Sequence, residues 1–250
     1  KKYGIKGIFF NDELLVINKK RIYELCDKIE PLNIKWNCQG RVNLADLDLV
    51  RRMKKAGCVA IGYGIESGSQ TILNNMNKQV TVEQAEKALK DTVKVGIRPI
   101  TQMMYGYPGE TRKTLQETVE FFKKVPYVGP VGLSTTTPLP GTELYNYSLK
   151  RGLIKDEEKY LEQLSAGYTQ DGTRPLVNFT EFDDEDFYRL KWETQSAIWV
   201  NQKRKYPFPH LVKDFLRGIL PYTQKYGYKQ TIRRTMLLLN RKFDITLEEK

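Results

Sequence analysis

The stretch CVAIGYGIESGSQ, residues 58–70, joins an apolar run to glycines and a single carboxylate. Its first half predicts a buried β-strand whose last residues include Gly62 and Gly64. Glycine lets backbone approach a ligand closely, and the carboxylate of Glu66 can accept hydrogen bonds from hydroxyl groups or an ammonium. Glu66 can equally be an acid that stabilises the N-terminus of the next helix. Its position alone favours neither interpretation.

The same strand-then-helix pattern recurs along the first 150 residues. Strand starts follow one another at roughly 30-residue intervals, which is the length of a β–α unit with parallel strands. The predicted strands cover residues 5–10, 34–38, 58–64, 97–105 and 131–139. The fold class is therefore α/β, either a barrel or an open doubly wound sheet, with strands that we expect to be apolar on both faces. A complete eight-unit barrel takes about 250 residues, so the five units here predict a partial (β/α) barrel.

Helix signals separate the strands. Thr81 and Gln84 have the spacing of a capping box, and Thr111 is a candidate N-cap for the following helix. Gly57 and Gly96 stand where a glycine commonly ends a helix. Each of these signals falls just before or just after a predicted strand, which supports the alternating order.

The pattern changes after Gly141. Residues 156–181 read as polar and irregular, whereas 183–205 and 222–243 have helical spacing. We therefore divide the chain into a barrel portion, 1–155, and a basic, all-helical extension, 156–250. Trp192 and Trp199 lie seven residues apart in the extension, a spacing that favours a core or an interface.

Charge and cysteine content limit the function classes. The net charge is +11, and residues 200–242 hold eleven lysines and arginines against one acid, Asp214. Such a tail predicts contact with an anionic membrane surface or, as the weaker alternative, RNA; a solvated outer helix is the simplest interpretation. No apolar run is long enough to span a membrane. The three cysteines predict no disulfide framework and a cytoplasmic location.

Polar residues gather where the predicted strands end. Ligands bind at the carboxyl ends of parallel strands, so these residues are candidates for one shared site. Arg41 and Lys78 can also be ordinary surface cations, and the PGET and PGTEL stretches are first of all turns. The candidates are Arg41, Glu66, Ser67, Lys78, Gln102, Tyr105 and Gly106.

Five ordered motifs at these strand ends suggest a family. The runs FNDELL, WNCQGRVN, GIESGSQ with LNNMNK, MMYGYPGET and TPLPGTELY resemble the radical S-adenosylmethionine (SAM) enzymes, most closely the branch that adds a cobalamin-binding domain. The resemblance covers residues 1 to about 150. It implies a TIM-like partial (β/α)6 barrel that holds SAM and a [4Fe-4S] cluster, with cobalamin as a further cofactor.

The resemblance also implies residue roles. Glu66 would reach the methionine or ribose part of SAM, Arg41 would lie near its carboxylate end, and Lys78 and Gln102 would line the cofactor side. Ser67 adjoins Glu66, and Tyr105 and Gly106 belong to the turn that would form the floor. The implied reaction is formation of a 5′-deoxyadenosyl radical or, with cobalamin, methyl transfer to an unactivated carbon. No catalytic acid or base is predicted.

One departure from the family stands out. The three-cysteine cluster loop, C-x3-C-x2-C, does not occur in this sequence. Cys26, Cys38 and Cys58 fall in a helix, at the end of a strand and at the start of a strand, and cannot replace it. We therefore expect a C-terminal part of a longer enzyme, inactive alone, whose partner is the N-terminal portion of the same protein. The alternative is a non-catalytic basic module that binds RNA or an anionic membrane surface.

Overall fold

A computed structural model describes residues 3–12, 15–166 and 175–206. Within these residues five strands form one parallel sheet, in the order in which they occur along the chain. The strands are β1 (Gly7–Phe9), β2 (Lys35–Gly40), β3 (Cys58–Glu66), β4 (Arg98–Tyr105) and β5 (Gly132–Thr135). Each predicted strand is present, and the sheet with its surrounding helices is a half-barrel. The predicted fold class is confirmed.

Helices connect the strands and cover one face of the sheet. Thr81 and Gln84 form the predicted capping box, and Thr111 caps its helix by accepting from the Thr114 backbone N–H. Gly57 and Gly96 have the positive φ angles of residues that follow a helix end. The helices are α1 (Lys19–Ile29), α2 (Leu47–Lys55), α3 (Gln70–Asn75), α4 (Val82–Lys94), α5 (Arg112–Lys124), α6 (Glu143–Lys150), α7 (Glu157–Ser165) and α8 (Asp184–Arg204).

The two faces of the sheet differ in character. The helix-covered face carries large buried side chains such as Trp36, Tyr63 and Met103. The other face carries glycines at the centre of β3 and exposed residues along β4, including Gln102. Our expectation that the strands are apolar on both faces was therefore wrong. An open face lined mainly by small and polar residues, with Ile100 and Met104 as apolar members on β4, can instead accommodate a ligand.

The chain after Gly141 is more regular than predicted. We expected irregular structure at residues 157–165, but these residues form α7. Asp156 stabilises its first turn by accepting from the Lys159 backbone N–H. The predicted helix 183–205 is present as α8. The predicted helix 222–243 and most of the basic tail lie outside the described residues.

Helix α8 packs on α5 and β5. Its Phe187 and Ile198 are buried in the same core as the sheet, whereas the side chains of Trp192 and Trp199 are exposed. The boundary between barrel and extension at residue 155 stays a prediction. No helix in the described parts of the chain has the length and apolar character needed to cross a membrane.

Candidate functional site

Strand β3 ends in an irregular conformation that aims Glu66. The register between β3 and β4 shifts between Gly64 and Glu66, and Glu66 has φ of 67°, which is unusual for a residue with a side chain. Strained backbone of this kind is concentrated at functional sites. The bulge turns the Glu66 carboxylate back over the open face, since a Cβ atom added to Gly64 would lie 2.5 Å from Glu66 Oε1.

Three of the predicted residues are linked to one another. Lys78 Nζ lies 2.6 Å from Glu66 Oε1, and both side chains are less than one third exposed. Arg41 Nη2 donates to the backbone carbonyl of Lys78 at 2.9 Å. Residues from the ends of β2 and β3 and from the loop after α3 therefore form one group at the carboxyl edge of the sheet. Lys78 contacts Glu66 directly, and Arg41 joins the group through the Lys78 backbone; the cofactor-binding role of these residues stays a prediction.

Gln102 lies beside this group. It pairs with Gly64 in the β3–β4 register and is exposed on the open face. On the neighbouring strand, the amide of Gln39 covers Gly62, where an added Cβ would lie 2.1 Å from Gln39 Oε1. The open face therefore offers side-chain amides next to the ionic group.

Asn37 is a site candidate that our sequence analysis missed. It precedes Gln39 by two residues in β2, so the two side chains share a face. Its Oδ1 atom is buried and has no hydrogen-bond partner. A buried polar atom without a partner is costly, so Asn37 presents an acceptor that a bound ligand can satisfy. The i, i+2 spacing of two amides in one strand was the signal that could have revealed it.

Ser67 and Tyr105 do not join the group. Ser67 is buried, and its hydroxyl lies 3.4 Å from that of Thr118 on α5. Tyr105 is fully buried on the helix-covered face, where its hydroxyl donates to the Phe187 carbonyl at 2.7 Å. Both side chains are committed to packing between the sheet and its helices. Neither faces the space above Gly64.

Gly106 is the first residue of a tight turn that the side chain of Glu110 stabilises. The backbone N–H of Gly106 donates to the Glu110 carboxylate, and Glu110 N donates to the Tyr107 carbonyl at 3.0 Å. Glu110 is only 4% exposed. Burial raises its pKa to about 7, although hydrogen bonds from the Gly106 and Tyr107 N–H groups oppose the shift. The turn is thus a fixed support, and we had not assigned the carboxylate that holds it.

The ionic group suits a zwitterionic ligand. A carboxylate can accept from an ammonium or from ribose hydroxyls, and the Arg41 and Lys78 side chains can donate to a carboxylate. The glycines of β3 leave room for the ligand above the strand. SAM carries all three of these functions, so the residues present fit it.

The cysteines do not fit an iron–sulfur cluster. Cys26, Cys38 and Cys58 are all buried among the core residues. Burial raises the pKa of Cys26 to about 11, and a hydrogen bond with Cys38, followed by burial, raises the pKa of Cys58. Thiols held protonated are poor metal ligands. Among the described residues no group of histidine, cysteine, aspartate and glutamate could hold a metal ion.

Comparison with known proteins places this geometry in context. The model of the Radical SAM superfamily matches residues 8–122. An uncharacterized methyltransferase from Pyrococcus horikoshii is 30% identical over 88% of this chain and 47% of its own length. Bacteriochlorophyllide d C-8(2)-methyltransferase from Chlorobaculum tepidum is 32% identical over 64% of this chain and 38% of its own length. The chain thus spans less than half the length of these two relatives.

A solved structure has the same fold. The radical S-adenosylmethionine methyltransferase TsrM from Kitasatospora setae, with cobalamin and a [4Fe-4S] cluster bound, superposes with a TM-score of 0.54. The match covers 61% of this chain and 32% of TsrM at 16% sequence identity. At that identity the likeness concerns the fold alone.

Proposed function

Because this chain belongs to the radical SAM superfamily through residues 8–122, we propose that it supplies the SAM-binding face of a longer enzyme. The observation that carries the proposal is the convergence of Arg41, Glu66 and Lys78 over Gly64, beside Gln102. SAM bound at a reduced [4Fe-4S] cluster supplies either a carbon-centred radical or a methyl group. The described residues contain no ligand set for that cluster, so its ligands would come from outside this chain.

The residues of the face have distinct tasks in the proposal. Glu66 accepts hydrogen bonds from the ligand's ammonium or ribose hydroxyls, and its position is held by the bulge and by Lys78. Arg41 keeps the Lys78 segment in place through the Lys78 carbonyl and can donate its remaining N–H groups to a carboxylate. These are binding and orienting tasks, since positioning and exclusion of competing reactions are what the protein contributes to cofactor chemistry.

Gln102 and the turn support the opposite side of the ligand. The Gln102 amide offers a donor and an acceptor next to Gly64. The turn that begins at Gly106 is fixed by Glu110 and limits how far the end of β4 can move. Tyr105 and Ser67 are not among the proposed ligand contacts, because their hydroxyls are engaged on the other side of the sheet.

We further propose methyl transfer, with cobalamin as an additional cofactor, as the reaction of the whole protein. The support is that the two curated relatives described above are both named methyltransferases and that the fold matches a cobalamin-containing methyltransferase. The alternative of a non-catalytic basic module rests on a tail that lies mostly outside the described residues. A cytoplasmic location stays a prediction.

The test is an anaerobic assay of the full-length protein after reconstitution with iron, sulfide and cobalamin. SAM and a reductant are added, and the nucleoside products are quantified by mass spectrometry. We expect S-adenosylhomocysteine, with 5′-deoxyadenosine as the product of radical formation. Formation of 5′-deoxyadenosine alone would contradict methyl transfer but retain the family reaction. Unconsumed SAM in the presence of an intact cluster would contradict the proposed function.

A further inference from the structure

Five lysines surround a shallow concavity far from the site described above. Its volume is about 490 Å³, and Val93, Val125 and Pro126 form its apolar floor. It lies where α4, α5 and α8 end, which is the edge of the sheet opposite Glu66. No acidic residue lines it. We call it the lysine basin; its cationic members are Lys90, Lys94, Lys123, Lys124 and Lys205.

Three of these lysines have partners within the protein. Lys90 pairs with Glu86 and Lys123 pairs with Glu120, each within one turn of the same helix. Lys205 donates to backbone carbonyls at the end of α5, including that of Phe122 at 2.8 Å. It therefore caps that helix, and burial lowers its pKa.

Lys94 and Lys124 differ from these three lysines. Both are exposed, and neither forms an ion pair with any residue in the described parts of the chain. The end of α5 is already capped by Lys205 and by Gln202, which donates to the Phe122 carbonyl at 3.1 Å.

Lys124 also interacts electrostatically with Glu83 and Glu120. Five lysines therefore face three nearby acids, Glu83, Glu86 and Glu120, and an excess of two positive charges remains in one concavity. Lys94 and Lys124 lie in the last turns of α4 and α5, where the helix dipole favours a cation. Clustering five lysines in one place nevertheless costs electrostatic repulsion among them.

Aromatic and apolar residues lie beside the basin. Tyr127 and Tyr206 follow its floor and its last lysine in the chain, and their rings meet edge to face at 4.8 Å. Further up α8, Trp199 and Val200 are exposed, and Lys203 Nζ lies 5.6 Å from the Trp199 ring. Lysines mixed with tyrosine, tryptophan and aliphatic side chains are typical of protein surfaces that sit at a membrane interface.

We propose that the lysine basin binds the phosphate headgroups of an anionic phospholipid bilayer. Lysine is a compact point charge suited to headgroup phosphate, and the apolar floor fits the glycerol and upper acyl region. RNA fits less well, because single-stranded RNA is bound on open aromatic faces, and Tyr127 and Tyr206 pack against each other. No arginine lines the basin. The site is independent of the proposed SAM-binding face.

The test compares two double variants of the full-length protein in vesicle co-sedimentation. Lys94→Gln/Lys124→Gln removes two basin charges, and Lys20→Gln/Lys150→Gln removes two exposed charges from α1 and α6 as a matched control. Vesicles contain phosphatidylglycerol or, as the neutral comparison, phosphatidylcholine. Each lysine near an anionic surface contributes about 1 kcal/mol to membrane binding. Partitioning of the basin variant onto phosphatidylglycerol vesicles should therefore fall by at least about tenfold. The control should stay close to wild type.

Each further outcome decides the matter. Equal partitioning of the two variants would assign membrane contact to other charges, such as the tail, and overturn the proposal. Absence of vesicle binding, or binding of transfer RNA that the basin variant loses while vesicles are ignored, would also overturn it. Binding of inorganic pyrophosphate, measured by calorimetry and lost in the basin variant, without vesicle binding would reduce the basin to a site for free phosphate, which contradicts the bilayer proposal. SAM affinity, measured in parallel, should be the same in all three proteins and separates this result from the proposed function.

Discussion

The carboxylate of Glu66 and the ammonium of Lys78 are 2.6 Å apart, although the two residues are twelve positions apart in the chain. The contact is possible because a register shift at the end of β3 turns Glu66 back over Gly64. The pair is partly shielded, with 17% and 28% of the side chains exposed. It places opposite charges side by side on the open face of the sheet. There the ammonium and the carboxylate of a zwitterionic ligand can interact with Glu66 and Lys78, respectively.

Gly64→Ala should weaken SAM binding by displacing this pair. The added Cβ would lie 2.5 Å from Glu66 Oε1 and 3.1 Å from Lys78 Nζ, while the φ angle of Gly64 is one that alanine adopts. We expect about tenfold weaker binding of SAM by calorimetry. In a Glu66→Ala background the same substitution should cost little, because the clashing group is gone. Equal losses in both backgrounds would show that Gly64 acts independently of Glu66.

Gly68→Ala should destabilise the fold rather than the site. The added Cβ would lie 2.6 Å from Thr118 Cα and 2.7 Å from Phe121 Cβ, so α5 would have to move. Overpacking of this kind costs about 1–3 kcal/mol, measurable by denaturant unfolding. Gly132→Ala is the matched control, since its Cβ would meet nothing within 4 Å. A stable Gly68→Ala variant would mean that α5 is less closely packed on β3 than described.

Tyr105→Phe should lower stability and leave SAM binding unchanged. The substitution removes the hydrogen bond to the Phe187 carbonyl in a buried setting, which costs roughly 1–2 kcal/mol. Thermal unfolding measures the first effect and calorimetry the second. A loss of SAM affinity without a loss of stability would return Tyr105 to the ligand-contacting residues.

Stability should fall between about pH 4.5 and pH 7 because of Glu110. Burial raises its pKa from 4.5 to about 7, so the folded protein binds a proton that the unfolded chain has already released in this range. The free energy of unfolding therefore decreases as pH rises, by roughly 3 kcal/mol over the window. Glu110→Gln should abolish this contribution, as measured by urea unfolding at several pH values. Parallel pH profiles for both proteins would contradict the assignment.

Much of the fold could be predicted because its signals are local. The capping box at Thr81 and the glycines at 57 and 96 mark helix ends within a few residues, and all were found where expected. The start of α7 was missed even though Asp156 is a suitable N-cap, because the polar composition around it masks a helix that buries only Tyr160.

The site was predicted in part, and the errors have a physical reason. Gln102 and Tyr105 are an odd number of residues apart in one strand, so they point to opposite faces; assigning both to one site ignored that alternation. The positive φ of Glu66 depends on a bulge formed with β4. A feature that depends on the neighbouring strand cannot be predicted from the sequence of β3 alone.

The most direct test of the central claim is the affinity of SAM for Glu66→Gln in the full-length, cluster-loaded protein. Glu24→Gln, an exposed position on α1, is the control for removal of one negative charge. Loss of a charged hydrogen bond should weaken SAM binding by about tenfold or more, with the visible absorbance of the cluster unchanged and Glu24→Gln equal to wild type. Equal SAM affinity in all three proteins would contradict the account.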